Sequence, residues 1–376
     1  MAVRVIGAVI GGAIVLTAAW SVLATVVVPR RIRSHITRYV ALANRAVFRF
    51  FGDLAGSYER RDRILAVQAP VQIIGQIVAW LASYQLGFGL LLWPLVGNAG
   101  LGGAMEQAGS AICTLGYFSP HYSGVAALDA VASLAGLGTV ALQIGYLPTL
   151  YSAFARREAL VTMLDSRAGV PSWGPELLAR THYGLGSGVS AVSELPALFE
   201  QWEQWSAEVQ ESHTTYVPLV WFRSPRSLSS WVTAQLAVLD AAALYLALLP
   251  DAAGLVQARL CLRGGFTCLT TIARAIGFDV PEEADPNNGI SLTYQDFEDA
   301  VERLRRVDFP LERPTEDAWL DFLGWRVNYE AAAYSLAFAV DAPPALWSGP
   351  RRREAEVISP LRPATLRAGK PPLQPP

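Results

Sequence analysis

The sequence predicts an all-α membrane protein with a cytoplasmic all-α C-terminal domain, and three observations predict it. Residues 5–28, 64–93 and 125–151 are apolar runs holding a single charge, Asp129, and each is long enough for a hydrocarbon core of ~30 Å. Between the second and third lies a short helix-like run followed by a polar and aromatic loop, too brief to cross a bilayer itself. From Glu158 onwards apolar and polar residues mix at helical spacing, and strand-like alternation is scarce.

Composition sets the bounds. Of 376 residues, 52% are apolar and 16% charged, against a soluble average of roughly 25% charged. The apolar excess sits before residue 155, so a membrane part precedes a soluble one. A net charge of -2 leaves no basic footprint for nucleic acid, and no such partner is expected. Lys370 is the single lysine, as a GC-rich coding bias would produce. Cys113, Cys261 and Cys268 have neither disulfide nor zinc spacing and read as small buried apolar residues. With no nucleotide loop, metal-ligand spacing or nucleophile motif, neither an enzyme nor a cofactor is expected.

The first domain, residues 1–29, is one span. It is longer than a signal-peptide core and runs directly into Pro29-Arg30-Arg31, so it reads as uncleaved. Gly7 and Gly11 make a G-x-x-x-G helix-contact pattern. Residues 30–63 form a basic connector in which Val40, Leu42, Val47, Phe48, Phe50 and Phe51 alternate with Arg38, Arg45 and Arg49. That suits a helix on the anionic inner leaflet, with membrane lipid as partner; a connector packed on the protein has the same pattern.

Residues 64–154 form the central module. In its first span, 64–93, Gln68, Gln72 and Gln76 fall on one helix face, toward other helices or a cavity. Trp80, Tyr84 and Trp93 supply interface anchors. Residues 95–103 read as an outer loop and 104–113 as a short helix. The re-entrant segment 104–120 then continues through Thr114-Leu115-Gly116-Tyr117-Phe118 to the Ser119-Pro120 turn. Irregular backbone at membrane depth is tolerated where protein or a water-filled cavity satisfies it. In the last span, 125–151, Asp129 either braces the loop from behind or sits solvated at the interface. Gly136, Gly138 and Gly145, with Pro148, are weak points at which the helix can bend.

Arginines fix the orientation. They crowd the connector and follow the third span at Arg156, Arg157 and Arg167, whereas residues 95–120 carry only Glu106. Positive-inside then gives a multi-pass protein of the cell membrane with the N-terminus and loop outside. Residues 155–342 form the cytoplasmic helical domain. There 231–249 reads as a buried bundle helix rather than a fourth crossing, because Gln235 and Asp240 interrupt it. Trp202 and Trp205 read as core, and His182 and His213 as isolated. The turn Phe222-Arg223-Ser224-Pro225-Arg226-Ser227 either holds an anion or leads into a helix capped by Ser227 or Ser229. Residues 343–376, rich in proline and arginine, read as a disordered tail.

The order span, short helix, Thr114-Leu115-Gly116-Tyr117, span resembles the two-span pore module of the potassium-channel superfamily. With the extra N-terminal span, Ile144-Gly145-Tyr146-Leu147-Pro148 and the segment from Phe222 to Trp231, the whole chain resembles bacterial ion-channel-domain, or two-pore-like, potassium channels. The resemblance implies a cation pore whose filter backbone comes from Thr114, Leu115, Gly116, Tyr117 and Phe118. It carries permeant K+ or another monovalent cation, with no other metal. One loop per chain implies a homotetramer, since such a filter is a ring of four loops. The superfamily has glycine where Phe118 stands and aspartate where Ser119 stands. A side chain at a left-handed position costs roughly 1–2 kcal/mol, so Phe118 is the expected point of strain. The alternative is a non-conducting membrane receptor or scaffold with a degenerate channel fold.

Overall fold

The computed structural model describes residues 2–28, 34–118, 123–181, 191–281 and 289–350. Over these the chain is all-helical, 78% helix without a strand. It divides into two units, Met1–Phe154 with Thr215–Arg223, and Ala155–Thr214 with Ser224–Pro376. Thr215–Arg223, read from the sequence as part of the C-terminal domain, thus belongs to the first unit. Arg30, Arg31, Arg33, the Ser119-Pro120 turn, His182 and the tail beyond residue 350 lie outside the described residues.

The first unit opens with α1 (Ala2–Val22), extended by a π-helical turn to Val27. Its outer faces are apolar and exposed, while Gly7, Gly11, Ala18 and Ser21 are buried at intervals of three to seven residues. The G-x-x-x-G spacing serves a close contact with α4 (Gln68–Leu92): a Cβ on Gly11 would meet the Gly87 carbonyl oxygen at 2.5 Å. Small residues let the two backbones approach, which is how helices associate where no hydrophobic drive separates protein from lipid. Before α4 come α2 (His35–Asp53), capped by Ser34, and α3 (Tyr58–Ala66), capped by Ser57.

A buried polar cluster ties α1, α2 and α4 together. The Trp80 indole donates to Ser21 Oγ at 2.8 Å, and Ser21 pairs with the Ser34 hydroxyl. Thr25 pairs with Thr37 at 2.9 Å, and the Gln76 amide donates to Thr37 at 2.8 Å. The glutamine face is therefore an inter-helix contact, although the Gln72 side-chain oxygen has no partner among the described residues. Trp80 and Tyr84 are fully buried rather than interfacial, because the indole N–H finds its acceptor inside the protein. Trp93 packs against Gly7.

After Leu92 a 3-10 turn (Gly97–Ala99) leads to α5 (Gly100–Ile112), which starts four residues earlier than its sequence suggests. Packing overrides the low helix propensity of Gly102 and Gly103. Next is α6 (Ser123–Ala168), in which Pro148 is accommodated without ending the helix. At 1.5 Å per residue its 46 residues span about 70 Å, more than twice a hydrocarbon core. Ala18, Trp80, Phe88, Leu92, Ala108, Ile112 and Ala132 share one apolar core.

The second unit is a bundle of α7 (Gly174–Thr181), α8 (Leu195–Thr215), α9 (Trp231–Leu248), α10 (Leu255–Ile276), α11 (Tyr294–Arg305), α12 (Thr315–Arg326) and α13 (Glu330–Ala339). The segments of α1 with its π turn, of α3–α4, of α6 and of α9 are all long and apolar enough to cross a membrane. All 18 residues of α9 are buried by its own unit, as in the central helix of a bundle. Its cap is Ser230, not Ser227 or Ser229; Ser229 and Arg226 instead bond Asp165. Arg223 pairs with Asp62 and Tyr58, so the arginines of the turn are engaged by carboxylates. The packed unit also extends past residue 342. Trp347 is buried against Trp173 and Phe322, and its carbonyl accepts from Arg326.

Two buried charges need their surroundings to explain them. Arg326 is 0% exposed and bonds Asp240, Glu330 at 2.7 Å, Tyr334 at 3.0 Å and the Trp347 carbonyl at 2.7 Å. Burial pushes the Asp240 carboxyl up to about 6, although Arg326 and Tyr329 pull it down. Arg157 donates to Glu158 at 2.8 Å and lies 2.9 Å from His213 Nε2. Guanidinium nitrogens only donate, so Nε2 accepts and His213 is neutral with its proton on Nδ1. Ser212 Oγ, 3.0 Å from Nδ1, passes its own hydrogen to the Glu208 carbonyl. Burial first, and Arg157 second, hold His213 well below its ordinary 6.5. The isolated histidine of the sequence is thus a core residue with two partners.

Candidate functional site

The segment Thr114 to Phe118 links α5 to the residues before α6, and hydrogen bonds to α5 shape it. Leu115 N–H donates to the Ser110 carbonyl at 2.8 Å, and Thr114 N–H to the Ala111 carbonyl at 3.0 Å. Those two bonds, with Thr114 at φ 55°, make a Schellman ending in which Thr114 takes the left-handed position usually held by glycine. A β-branched residue there is strained by roughly 1–2 kcal/mol. Gly116, at φ 71°, is the second left-handed residue, and Phe118 is not one. The strain expected at Phe118 therefore falls on Thr114, because the helix end sets where the chain must turn.

Ser110 holds the loop a second time. Its hydroxyl accepts from Tyr117 N–H at 3.0 Å. From α6, the Ser133 hydroxyl donates to the Ala111 carbonyl at 2.7 Å. Gly136 allows that approach: a Cβ there would stand 2.4 Å from the Ile112 carbonyl oxygen. Asp129 accepts from the Gln107 amide at 2.8 Å, while its other oxygen is buried without a partner among the described residues. The carboxylate braces α5, not the loop. Gly138 and Gly145 have no neighbour within 4 Å of where a Cβ would sit, so neither serves packing.

Leu115, Tyr117 and Phe118 are exposed, Tyr117 to 77%. Among the described residues no hydrogen bond ends on the carbonyls of Thr114, Leu115, Gly116 or Tyr117. The site is thus a short run of carbonyls to which no described residue donates, at the C-terminal end of α5, where the helix dipole concentrates negative partial charge. Hard oxygen acceptors of this kind suit a monovalent cation. Cys113, expected to be buried, is exposed because it is the last residue before the turn. Among the described residues no group of histidine, cysteine, aspartate and glutamate is placed to hold a metal ion.

Ser110, Gln107 and Ser133 anchor the site, and no motif marks them. The one available signal is Ser110, four residues before Thr114 on a helix-like run. No protein-family model, curated protein or solved structure matches the chain.

Proposed function

We propose that this chain is a potassium-channel-like cation channel, passive and homotetrameric, with Thr114 to Phe118 of four chains as its filter. The observation that carries the reading is the run of carbonyls, unbonded among the described residues, directly after the C-terminal end of α5 and between two long apolar helices. Four such loops around an axis would replace part of an ion's hydration shell with backbone oxygens. Four α5 ends would add favourable dipole potential for a cation. On this reading α1, α4 and the first part of α6 cross the cell membrane, with the N-terminus outside and the helical second unit in the cytoplasm as regulator. The support for that orientation is the arginine bias.

The test is potassium flux into vesicles holding the purified protein. Gly116→Ala puts a Cβ at φ 71° in every chain, a cost of about 1–2 kcal/mol four times per pore. It is expected to abolish the flux, as is Tyr117→Ala; flux equal to wild type in both would remove the loop from the function. One observation favours a non-conducting receptor or scaffold instead. The loop is bound to its own helix through Ser110, with a strained Thr114 and with Phe118 in place of glycine. A stable monomer or dimer in detergent is the outcome that selects this second reading.

A further inference from the structure

The first unit carries arginines that its own carboxylates leave unpaired. Arg38, Arg45 and Arg49 fall in one row of α2, seven and four residues apart. Among the described residues none of the three has an ion-pair or hydrogen-bond partner. Asp53, at the end of α2, is bound to Arg61 at 2.8 Å, and Asp62 to Arg223. Arg45 lies over the Trp221 ring at 4.2 Å, with its Nε buried and without an acceptor. A half-buried guanidinium so placed, with a second cation one turn away, lacks an anion.

We propose that Arg45 and Arg49 form a site for the phosphate of an anionic membrane lipid. Two features choose lipid over a free anion. Tyr39, Leu42, Val47, Phe50 and Phe51 of α2 are exposed apolar side chains, which a free phosphate would leave in water. Thr37 is hydrogen-bonded to Thr25 beyond the end of α1 and to Gln76 in the first turns of α4. That pins α2 at the level where both apolar helices reach the interface. The guanidiniums also suit the acceptor, since arginine matches phosphate through paired N–H donors. Burial and the neighbouring Arg49 both lower the Arg45 pKa, so an anion at this place relieves a cost the protein otherwise bears. The site stands whether or not the pore conducts.

Native mass spectrometry of the full chain in detergent tests it, with phosphatidylglycerol and phosphatidylcholine as competing probes. The wild type is expected to keep phosphatidylglycerol in preference by about tenfold or more, the size two arginines supply at an anionic surface. R45Q/R49Q should lose that preference, and R45K/R49K should keep most of it. Arg49→Gln alone changes an exposed side chain that makes no hydrogen bond or ion pair among the described residues, so it should fold and lose part of the preference. Equal uptake of the two lipids by wild type overturns the proposal. So does an unchanged preference in Arg49→Gln together with folded R45Q/R49Q. Loss of the preference in millimolar inorganic phosphate would assign the arginines to a free anion and overturn the lipid site.

Discussion

Ser110 holds the loop by two atoms, its carbonyl to Leu115 and its hydroxyl to Tyr117. Ser110→Ala removes only the second bond, worth about 1 kcal/mol. Hydrogen exchange at the Tyr117 amide should accelerate while that at Leu115 stays protected; equal protection in the variant would show that the hydroxyl does not hold the loop. Thr114→Gly separates stability from function. It relieves a left-handed β-branched residue at φ 55°, so the melting temperature should rise by the equivalent of about 1 kcal/mol per chain. Flux should fall at the same time, because the loop loses its conformational restriction. At this scale the sequence showed the loop but not its anchors. Thr114 to Phe118 stand out as a break between apolar runs. Ser110 meets its loop partners Leu115 and Tyr117 only once α5 ends in its left-handed turn, and Gln107 and Ser133 gain meaning only when α5 and α6 meet across 22 residues of chain.

Elements were legible where their signal was local. The G-x-x-x-G of α1 lies in five consecutive residues, and it marks a real approach between Gly11 and Gly87. Gly11→Leu must push the helices apart, since even a Cβ would stand 2.5 Å from a carbonyl oxygen. Overpacking of this kind costs about 1–3 kcal/mol, read as a lower unfolding temperature in detergent; an unchanged temperature would mean that α1 does not pack there. Trp80 and Tyr84 read from the sequence as interface anchors but are buried, for the opposite reason. An aromatic residue in an apolar helix looks alike at the interface and in the core, and its acceptor Ser21 is 59 residues away. The start of α5 at Gly100 is not legible in the sequence, because Gly102 and Gly103 suggest a loop until α4 packs against the helix. α6 runs on through Pro148, so the proline that reads as a weak point in the sequence does not end the helix.

For the whole molecule, the division between an apolar N-terminal part and a helical C-terminal part could be read from composition alone. The buried charge clusters of the second unit could not, because Arg157 and His213, or Asp240 and Arg326, are distant in the chain. They have a pH signature. Native His213 stays neutral below 6.5 while the unfolded chain takes up a proton, so stability is full above 6.5 and falls as pH drops through it. From pH 7.5 to 5.5 the loss from this residue should be about 1.4 kcal/mol. His213→Gln keeps an acceptor for Arg157 and should flatten that slope in thermal melts. Asp240, up at about 6, works the other way: the native state holds its proton longer than the unfolded one, so acid favours the fold between about 6 and 4. An unchanged slope in His213→Gln would show that the histidine does not cause it. The role of the loop as an ion filter is tested most directly by the reversal potential of the purified, reconstituted protein with potassium on one side and sodium on the other. A filter at this loop should give a current that reverses near the potassium equilibrium potential and that Gly116→Ala removes. No current from a tetrameric preparation, or one indifferent to Gly116→Ala, would contradict it.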